Sequence, residues 1–394
     1  MSPSDAGELL ELEVGAVAHG GSCVARHDGL VVFVRHALPG ERVRARVTER
    51  SKRFLRADCV EVLRAAPERV PVPCPYAGRC GGCDWQHASL PAQRTLKAAV
   101  VAEQLRRLGG LDVAVDVEEV PGAPDGLGWR TRVTYSVDAE GRAGFLSHRS
   151  HEVVPVDRCL IAHPAVTALD VPGRSWPGSR QVEVAASAAS GETYLTTRPG
   201  EPAPGGVHET AAGRTWWVTG TGFWQVHPGA ADALVDAVLA ALEPRQGESA
   251  LDLYAGAGLF TGALADRLGP GGRVTSVESD RVAVEDARTN LSDAPTVRLY
   301  RGEVAAVLRR LRLRRADLVV LDPPRRGAGR EVVDLLSRIR VRRLAYVACD
   351  PAALGRDVGY FRDRGWGLAG LRAFDLFPMT HHVECVATLV PPAP

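Results

Sequence analysis

The stretch "LDLYAGAGLF", residues 251–260, has the pattern of a buried strand that runs into a tight glycine turn and then into a helix. Gly256 and Gly258 would let the backbone approach a ligand, and the helix would begin there with its N–H groups unpaired. The pattern alone is weak evidence, because a dinucleotide loop, a methyl-donor loop and an ordinary strand-to-helix turn all share it. The strands that follow have to distinguish these cases.

Three more apolar runs follow, with helical segments between them: "GRVTSVESD" (272–280), "ADLVVLDPP" (316–324) and "RRLAYVACD" (342–350). Continuous apolar strands that alternate with helices are typical of a parallel sheet that is covered on both faces. The region therefore predicts a doubly wound, Rossmann-like α/β domain. In such domains ligands bind at the carboxyl ends of the strands.

The ends of these strands carry polar residues that narrow the choice of ligand. Glu278 lies about twenty residues after the glycine loop, where an acidic residue accepts hydrogen bonds from a ribose diol. This leaves a nicotinamide cofactor or S-adenosylmethionine. Asp322 is followed by two prolines, which stiffen the chain and fix its carbonyls. Hydride transfer has no obvious need for such a segment, whereas methyltransferases commonly carry an Asp/Asn-Pro-Pro element beside the acceptor base.

Cys349 ends the strand in "YVACDP" and so lies at the rim of the same cleft. A buried cysteine is a small core residue about as often as it is a functional one. Beside a methyl donor, however, a thiolate has a chemical use. Carbon 5 of uracil becomes nucleophilic once a thiolate adds to carbon 6, and a base must afterwards remove the carbon 5 proton. Glu384 in "HHVECVATL" is the candidate base, although a glutamate on a strand is more often simply exposed.

The 394-residue chain is too long for one ordinary core, and we predict three regions, 1–64, 65–219 and 220–394. Short β-branched segments between Gly and Pro turns predict a small barrel in the first region. The net charge of +1 hides strongly basic runs such as "RVRARVTERSKRFLRADC" (42–59), which are compatible with nucleic acid binding. Since no apolar run of about 18 residues occurs, we expect a soluble, cytoplasmic protein without a membrane partner.

The second region contains the stretch "PVPCPYAGRCGGCDWQH" (71–87) and an amphipathic helix, "LPAQRTLKAAVVAEQLRRLGG" (90–110). The eight cysteines of the chain are placed too unevenly for a secreted disulfide framework. We therefore expect ligation or catalysis for those in the stretch.

Several of these motifs occur together in one family. The segments "GFWQVHP", "LDLYAGAGLF", "LDPPRRG", "YVACDP" and "FDLFPMTHHVECVATL" follow one another in this order. With them the C-terminal region resembles the RNA 5-methyluridine (uracil-C5) methyltransferases of tRNA and ribosomal RNA. The segment "HGGSCVARHDGLVVFVRHALPGERVRARV" (19–47) resembles a TRAM domain, an RNA-binding module of OB-like barrel type. The resemblance spans nearly the whole chain.

The resemblance implies a role for each matching residue. Cys349 would be the nucleophile and Glu384 the base. The methyl donor S-adenosylmethionine would be bound by Gln225, Tyr254, Glu278 and Asp322, with Gly256 and Gly258 shaping its loop. A [4Fe-4S] cluster in an α+β central domain would be held by Cys74, Cys80, Cys83 and Cys159. Four thiolates could also hold zinc, and a closed four-cysteine site implies a structural role.

The family pattern is not matched everywhere. Leu259, His227 and Asp350 stand where asparagine is common in the family. The resemblance implies a monomeric class I methyltransferase that acts on RNA, with ribosomal RNA favoured over tRNA because some tRNA-directed relatives lack the TRAM domain. A flipped target base would be held by aromatic residues, with Phe223, Trp224 and Phe377 as candidates.

Three other functions are weighed against this one. A non-catalytic iron-sulfur RNA-binding protein is disfavoured because Cys349 and Glu384 are both present. A TRAM-bearing radical enzyme that inserts sulfur would need a C-x3-C-x2-C motif. The chain instead has C-x5-C-x2-C, formed by Cys74, Cys80 and Cys83, which argues against this function. A cytosine-C5 methyltransferase usually carries its nucleophile in a Pro-Cys motif, whereas Ala348 precedes Cys349.

Overall fold

The computed structural model describes residues 7–392 and begins with a small sheet of five strands. In chain order these strands are β1 (Leu9–Glu13), β2 (Cys23–His27), β3 (Leu30–Arg35), β4 (Arg42–Arg50) and β5 (Phe54–Arg64). They are arranged in the order β1-β4-β5-β3-β2. Alternate side chains such as Val32, Val43 and Leu55 point into a common core. This confirms a small N-terminal β domain of short strands, as the sequence pattern predicts.

The arginines of this domain are largely paired. Arg42 and Arg44 both contact Glu11 on β1, and Arg64 contacts Glu13. The basic run of β4 and β5 is therefore partly neutralised by the acidic strand beside it. The sequence could not show this pairing, because β1 and β4 are 29 residues apart or more.

The middle of the chain begins with the predicted helix. It comprises α1 (Leu90–Gln104) and a π-helical turn (Leu105–Gly109), and it ends at Gly110 in a left-handed conformation. Leu96 and Val100 on one face of α1 pack into the core of the N-terminal domain together with Trp85. The helix thus links the N-terminal domain to the rest of the molecule.

Eight strands and one short helix follow in the middle of the chain. They are β6 (Val117–Glu119), β7 (Arg132–Val137), β8 (Ala143–Leu146), β9 (Val153–Pro155), α2 (Pro164–Thr167), β10 (Gln181–Ala186), β11 (Thr193–Arg198), β12 (Gly206–Ala211) and β13 (Arg214–Thr219). Five of the strands form an antiparallel sheet in the order β11-β10-β7-β8-β9, and β12 and β13 form a hairpin.

The C-terminal part alternates helices and strands. Its elements are α3 (Ala230–Leu242), β14 (Ser249–Leu253), α4 (Leu259–Leu268), β15 (Arg273–Glu278), α5 (Arg281–Asn290), β16 (Val297–Arg301), α6 (Val304–Leu311), β17 (Leu318–Leu321), α7 (Gly329–Leu336), β18 (Arg343–Ala348), α8 (Pro351–Arg362), β19 (Gly367–Asp375) and β20 (Glu384–Val390). The strands are ordered β16-β15-β14-β17-β18-β20-β19-β6.

The predicted parallel arrangement is confirmed for β14 to β18. The last strand differs, because β20 runs antiparallel to both β18 and β19. The loop of residues 376–383 joins β19 directly to β20 without a crossover helix, so the two strands pair antiparallel. β14 lies between β15 and β17, which places the switch point of the sheet, and hence its ligand cleft, at the carboxyl end of β14.

The middle of the chain also contributes to this sheet. β6 is its edge strand and pairs with β19, and Trp216 and Val218 of β13 lie in the core under α3 and α4. The predicted domain boundaries near residues 64 and 219 remain a prediction. No helix among residues 7–392 is both long and apolar enough to cross a membrane.

Candidate active site

The glycine loop after β14 is fixed by the carboxylate at the end of β15. The Gly256 N–H donates a 3.0 Å hydrogen bond to Oε2 of Glu278. The other oxygen of Glu278 accepts from the N–H groups of Ser279 and Asp280 at 2.6 and 2.8 Å. The structure thus brings Gly256 and Glu278 together, as the sequence predicts for a loop that holds a ribose-bearing ligand.

The conformation of this loop explains its glycines. Gly256 and Gly258 have φ values of +55° and +97°, and Tyr254 has φ +68°. A Cβ on Gly258 would lie 2.8 Å from Leu291, whereas a Cβ on Gly256 would point into open space. Packing therefore requires glycine at 258. At 256, the open space above the backbone is the cradle that a bound donor would fill.

A buried carboxyl group under the loop was not predicted. Asp252 of β14 accepts a 2.5 Å hydrogen bond from Thr261 on α4, and its other oxygen has no partner within the described residues. Burial raises the pKa of Asp252 to about 7. The contact ties β14 to the start of α4. The sequence signal was the aspartate between two leucines of an otherwise apolar strand.

Asp322 follows β17 at the same edge of the sheet. Its N–H donates to the Leu253 carbonyl at 3.2 Å, which holds the Asp-Pro-Pro segment beside the glycine loop. Burial, together with the charges of Asp252 and Glu278, raises the pKa of Asp322 to about 7. The side chain is therefore able to hold or release a proton near neutral pH.

Cys349 and Glu384 lie at the adjoining ends of two paired strands. The antiparallel pairing of β18 with β20 ends at Ala348 and Cys385, so Cys349 directly follows the last paired residue of β18 and Glu384 directly precedes that of β20. The two side chains are close enough for the charge of Glu384 to act on the Cys349 thiol. Cys349 is half-buried at the end of its strand, while Glu384 is 4% exposed. The two residues most clearly predicted for catalysis therefore meet at one point, although they are 35 positions apart in the chain.

Both groups have raised pKa values. Burial, and then the charges of Glu384 and Asp322, raise the pKa of the Cys349 thiol to about 12. Burial and the charge of Asp322 raise the pKa of Glu384 well above its usual range. The Arg325 guanidinium lowers both pKa values. A carboxyl group of high pKa is a strong proton acceptor once it is ionised.

Arg325 and the loop before β20 were missed by sequence reasoning. The loop of residues 376–383 carries His382, whose pKa is lowered to about 3 by burial and then by His381 and Arg325. His381 is held by Asp84, with Nδ1 2.6 Å from Oδ2. The Met379 carbonyl accepts from the Asp84 and Trp85 N–H groups at 3.0 Å each. The loop leading to Glu384 is thus fixed by the segment that follows Cys83.

Gln225 is not joined to the other predicted residues by any hydrogen bond in the described part of the chain. Gln225 is half-buried, and both of its neighbours in the chain are held in place. Trp224 packs against Trp216, and the Val226 carbonyl accepts hydrogen bonds from the Thr131 N–H and hydroxyl at 2.9 and 3.0 Å. The predicted contact of Gln225 with the methyl donor remains a prediction.

The four predicted cysteine ligands line one cavity in the middle of the chain. They are Cys74, Cys80, Cys83 and Cys159. Burial raises the pKa of Cys83 to about 12 and also raises those of Cys80 and Cys159, and neighbouring cysteines raise these three pKa values further. All four are free thiols. Within residues 7–392, however, no three His, Cys, Asp or Glu side chains are placed to hold a metal ion.

The chain is similar to known proteins over nearly its whole length. An uncharacterized RNA methyltransferase of Streptomyces avermitilis is 53% identical over 98% of this chain and 99% of its own length. A second, from Bifidobacterium longum, is 38% identical over 96% of this chain and 95% of its own length. Residues 3–60 match the TRAM domain, and residues 219–390 match the family described as tRNA (Uracil-5-)-methyltransferase.

The chain belongs to the family of RNA methyltransferases that these relatives form. Its methyl donor is S-adenosylmethionine, and its substrate is RNA. The fold agrees with this assignment. A Pyrococcus abyssi tRNA (uracil-54, C5)-methyltransferase in complex with S-adenosyl-L-homocysteine superposes with a TM-score of 0.72 at 23% identity, covering 96% of this chain and 99% of that one.

The three aromatic residues considered for holding an RNA base differ in exposure. In this RNA methyltransferase Phe223 is 69% exposed, whereas Trp224 is 6% exposed and packs against Trp216. Phe377 lies between the rings of Trp129 and His382, with centroids 5.9 Å from each. Trp224 is therefore a core residue. Phe223 is free to contact a base, and Phe377, which belongs to the loop of residues 376–383, is half-buried.

Proposed function

We propose that this RNA methyltransferase transfers a methyl group from S-adenosylmethionine to carbon 5 of a uridine, with ribosomal RNA favoured over tRNA. The observation that carries the proposal is the position of Cys349 and Glu384 at the adjoining ends of the paired strands β18 and β20, where the charges of Glu384 and Asp322 act on the thiol. A thiol and a carboxyl group that lie close together are the two groups that methylation at this carbon needs.

The proposed reaction is written from these two side chains. The Cys349 thiolate forms a bond to carbon 6, and the electrons of the carbon 5–carbon 6 double bond move toward the carbonyl at carbon 4. Bound S-adenosylmethionine supplies the methyl group, whose bonding electrons remain on the departing sulfur. Carbon 5 then forms the new bond to the methyl carbon. Glu384 takes the carbon 5 proton, the double bond re-forms and Cys349 leaves as thiolate.

The donor site fits S-adenosylmethionine. Glu278 braces the loop through Gly256 and presents its carboxylate at the end of β15, where a ribose diol would bind. We propose that Tyr254, Asp322 and Gln225 complete the site, with Gly258 shaping its floor. Asp322 acts on both the donor site and the catalytic pair. Its charge raises the pKa values of Cys349 and Glu384, and the charge of Asp252, under the glycine loop, raises the pKa of Asp322.

The TRAM domain offers a surface suited to RNA. Phe33 and Phe54 are half-buried aromatic rings 5.7 Å apart, and the Arg56 guanidinium lies 5.4 and 5.1 Å from their centres. Lys52 and Arg53 lie exposed on the adjoining turn, without a carboxylate partner in the described residues. Aromatic rings and guanidinium planes stack on unpaired bases, while the neighbouring cations contact phosphates.

We propose that the four cysteines hold a [4Fe-4S] cluster, with zinc as the alternative. The proposal is supported by the four free thiols that line one cavity and by the Gly82 N–H, which lies 3.4 Å from the Cys80 sulfur. Since no three of these side chains are placed to hold a metal ion in the described part of the chain, cluster binding would have to draw the thiols together. Four thiolates leave no iron open, so the role is structural. Cys83 directly precedes Asp84, which holds the loop leading to Glu384.

The test of the main proposal uses RNA that carries tritium at carbon 5 of uracil. Wild-type enzyme and S-adenosylmethionine should release tritium to water, and Cys349→Ala should release none. RNA labelled at carbon 5 of cytosine is the matched substrate control, and separate rRNA and tRNA fractions identify the substrate. Release from cytosine-labelled RNA, or equal release by Cys349→Ala, would overturn the proposal.

The cysteine site is tested by its metal content. Protein purified without oxygen should contain about four iron and four sulfide per chain, and Cys83→Ser should lose most of both. Cys23→Ser is the control, because Cys23 is a free cysteine in the core of the N-terminal domain and lines neither of the two cavities that contain the proposed ligands. Stoichiometric zinc in place of iron would show that the alternative is correct.

A further inference from the structure

The loop between β1 and β2 of the TRAM domain extends to the catalytic site. Its turn is closed by hydrogen bonds from Ala18 N–H to the Ser22 carbonyl (2.8 Å) and from Gly21 N–H to the Ala18 carbonyl (3.1 Å). The Trp85 indole N–H donates to the Gly21 carbonyl at 2.9 Å. A Cβ on Gly21 would lie 2.7 Å from that of His381, so this loop packs tightly against residues 376–383, the loop that leads to Glu384.

This loop places His19 against the residue that follows Cys349. His19 Nε2 lies 3.0 Å from Oδ2 of Asp350, a contact between residues 331 positions apart. The side chains are 40% and 26% exposed, respectively. The other oxygen of Asp350 accepts from the Ala353 N–H at 2.7 Å at the start of α8. The Asp350 carboxylate is therefore held in one position beside the nucleophile.

We propose that His19 is a positioning residue of the catalytic centre, which neutralises the Asp350 carboxylate and so favours the thiolate form of Cys349. The TRAM domain would then contribute to the chemistry as well as to RNA binding. This inference rests on the proposed function, in which Cys349 is the nucleophile.

The charges around Cys349 explain why Asp350 needs a partner. The charges of Glu384, Asp322 and, to a smaller extent, Asp350 raise the pKa of the thiol, and the Arg325 guanidinium lowers it. The pKa values of Glu384 and Asp322 are themselves raised. That of Asp350 is lowered, because its hydrogen bonds with His19 and Ala353 outweigh the effect of burial. Asp350 is thus the carboxyl group most readily ionised beside the thiol.

His19 is suited to compensate this charge. Its hydrogen bond with Asp350 raises the pKa of the imidazole, against the effect of burial, and Glu103 raises it further. Below this raised pKa His19 is a cation and cancels the field of Asp350. Above it, the neutral imidazole still contacts Asp350 but no longer cancels its charge. The effect of His19 on Cys349 should therefore be present at low pH and disappear as the pH rises.

The test measures how fast iodoacetamide alkylates Cys349 in the full-length protein. Trypsin cuts after Arg343 and Arg356, and the peptide of residues 344–356 contains Cys349 as its one cysteine, so mass spectrometry follows this thiol alone. At about pH 6–7, His19→Ala should be alkylated about three- to tenfold more slowly than wild type, which corresponds to a rise of about half to one in the thiol pKa. The difference should vanish by about pH 9.

Asp350→Asn and the double variant separate charge from structure. Asp350→Asn should react at least as fast as wild type, and adding His19→Ala to it should cause no further loss. His27→Ala is the control and should match wild type, because His27 is a histidine of the same domain that is paired with Asp28. An unchanged rate in His19→Ala, or an equal loss in the Asp350→Asn background, would overturn the inference.

This experiment needs neither RNA nor methyl donor, so it reports on the thiol independently of the reaction. If tritium release failed while His19 still controlled alkylation, the proposed function would fall and the charge relation between His19, Asp350 and Cys349 would stand. If tritium release succeeded and alkylation were insensitive to His19, only the present inference would fall.

Discussion

Glu384 lies close to Cys349 at the adjoining ends of β18 and β20, and the charge of its carboxyl group raises the pKa of the Cys349 thiol. Replacing Glu384 by Gln removes the charge and the proton acceptor together. Thiolate addition should then become easier, while removal of the carbon 5 proton should be lost. We expect Glu384→Gln to accumulate a covalent protein–RNA adduct, visible as a slower band on a denaturing gel, with turnover reduced at least about 100-fold.

The control for this adduct is Cys349→Ala combined with Glu384→Gln. The double variant should form no slow band, because the bond to RNA requires the sulfur. Normal turnover by Glu384→Gln would instead assign proton removal to another group, and Asp322, with a pKa of about 7, would be examined next.

Arg325 lowers the pKa of both catalytic groups, so its removal should shift the pH dependence of the reaction. In Arg325→Ala the pKa values of Cys349 and Glu384 rise further. Both groups must be ionised to act, so the acid limb of the pH–rate profile should move to higher pH. Because Arg325 is exposed and its field is screened by solvent, we expect only about a threefold loss of kcat at neutral pH.

The matched control is Arg330→Ala. Arg330 is an exposed arginine on α7 that lies 4.3 Å from the centre of the Tyr360 ring, and it does not act on the catalytic pair. Its pH–rate profile should coincide with that of wild type. High salt should reduce the difference between Arg325→Ala and wild type. A shift of the profile to lower pH would contradict the assignment.

Much of the site could be predicted from local sequence. Glu278 is the last residue of its strand, and the glycine loop, Asp322 and Cys349 come after the ends of theirs. The carboxyl ends of parallel strands meet at one edge of a sheet. The proximity of Cys349 to Glu384 could not be predicted, because it depends on the antiparallel insertion of β20 between β18 and β19. Strand periodicity gives the face of each residue but not which strand lies beside it.

Contacts between distant parts of the chain were the main omission. His19, Asp84 and Lys97 all act on the catalytic region from the first hundred residues, through contacts spanning 278 to 331 positions. None of the three has a local signature, since a histidine in a glycine turn or a lysine on a helix is normally exposed. The pairing of Arg42 and Arg44 with Glu11 was hidden for the same reason.

The two glycines of the donor loop should respond differently to alanine. Gly258→Ala places a methyl group 2.8 Å from Leu291 at φ +97° and should destabilise the fold by more than about 2 kcal/mol. Gly256→Ala meets no protein atom within 4 Å, and φ +55° costs alanine only about 1 kcal/mol. Its methyl group would occupy the cradle, so we expect near-normal melting with at least about tenfold weaker binding of S-adenosylhomocysteine by calorimetry. Normal binding by Gly256→Ala would place the donor elsewhere.

The buried ion pair between Lys97 and Asp375 holds the loop of residues 376–383, which leads to Glu384, to α1. Lys97 Nζ lies 2.5 Å from Oδ1 of Asp375 and 3.0 Å from the Phe377 carbonyl, and the two side chains are 0% and 2% exposed. Lys97→Met would leave Asp375 buried without its partner. Removing one member of a buried pair costs about 3–5 kcal/mol, so the urea midpoint should fall strongly.

The double variant Lys97→Met with Asp375→Leu should recover most of this loss, because both charges are then gone. Arg94→Met on the same helix, whose partner Glu119 is exposed, should cost no more than about 1 kcal/mol. If Lys97→Met were no more destabilising than Arg94→Met, the pair would not anchor the loop that leads to Glu384.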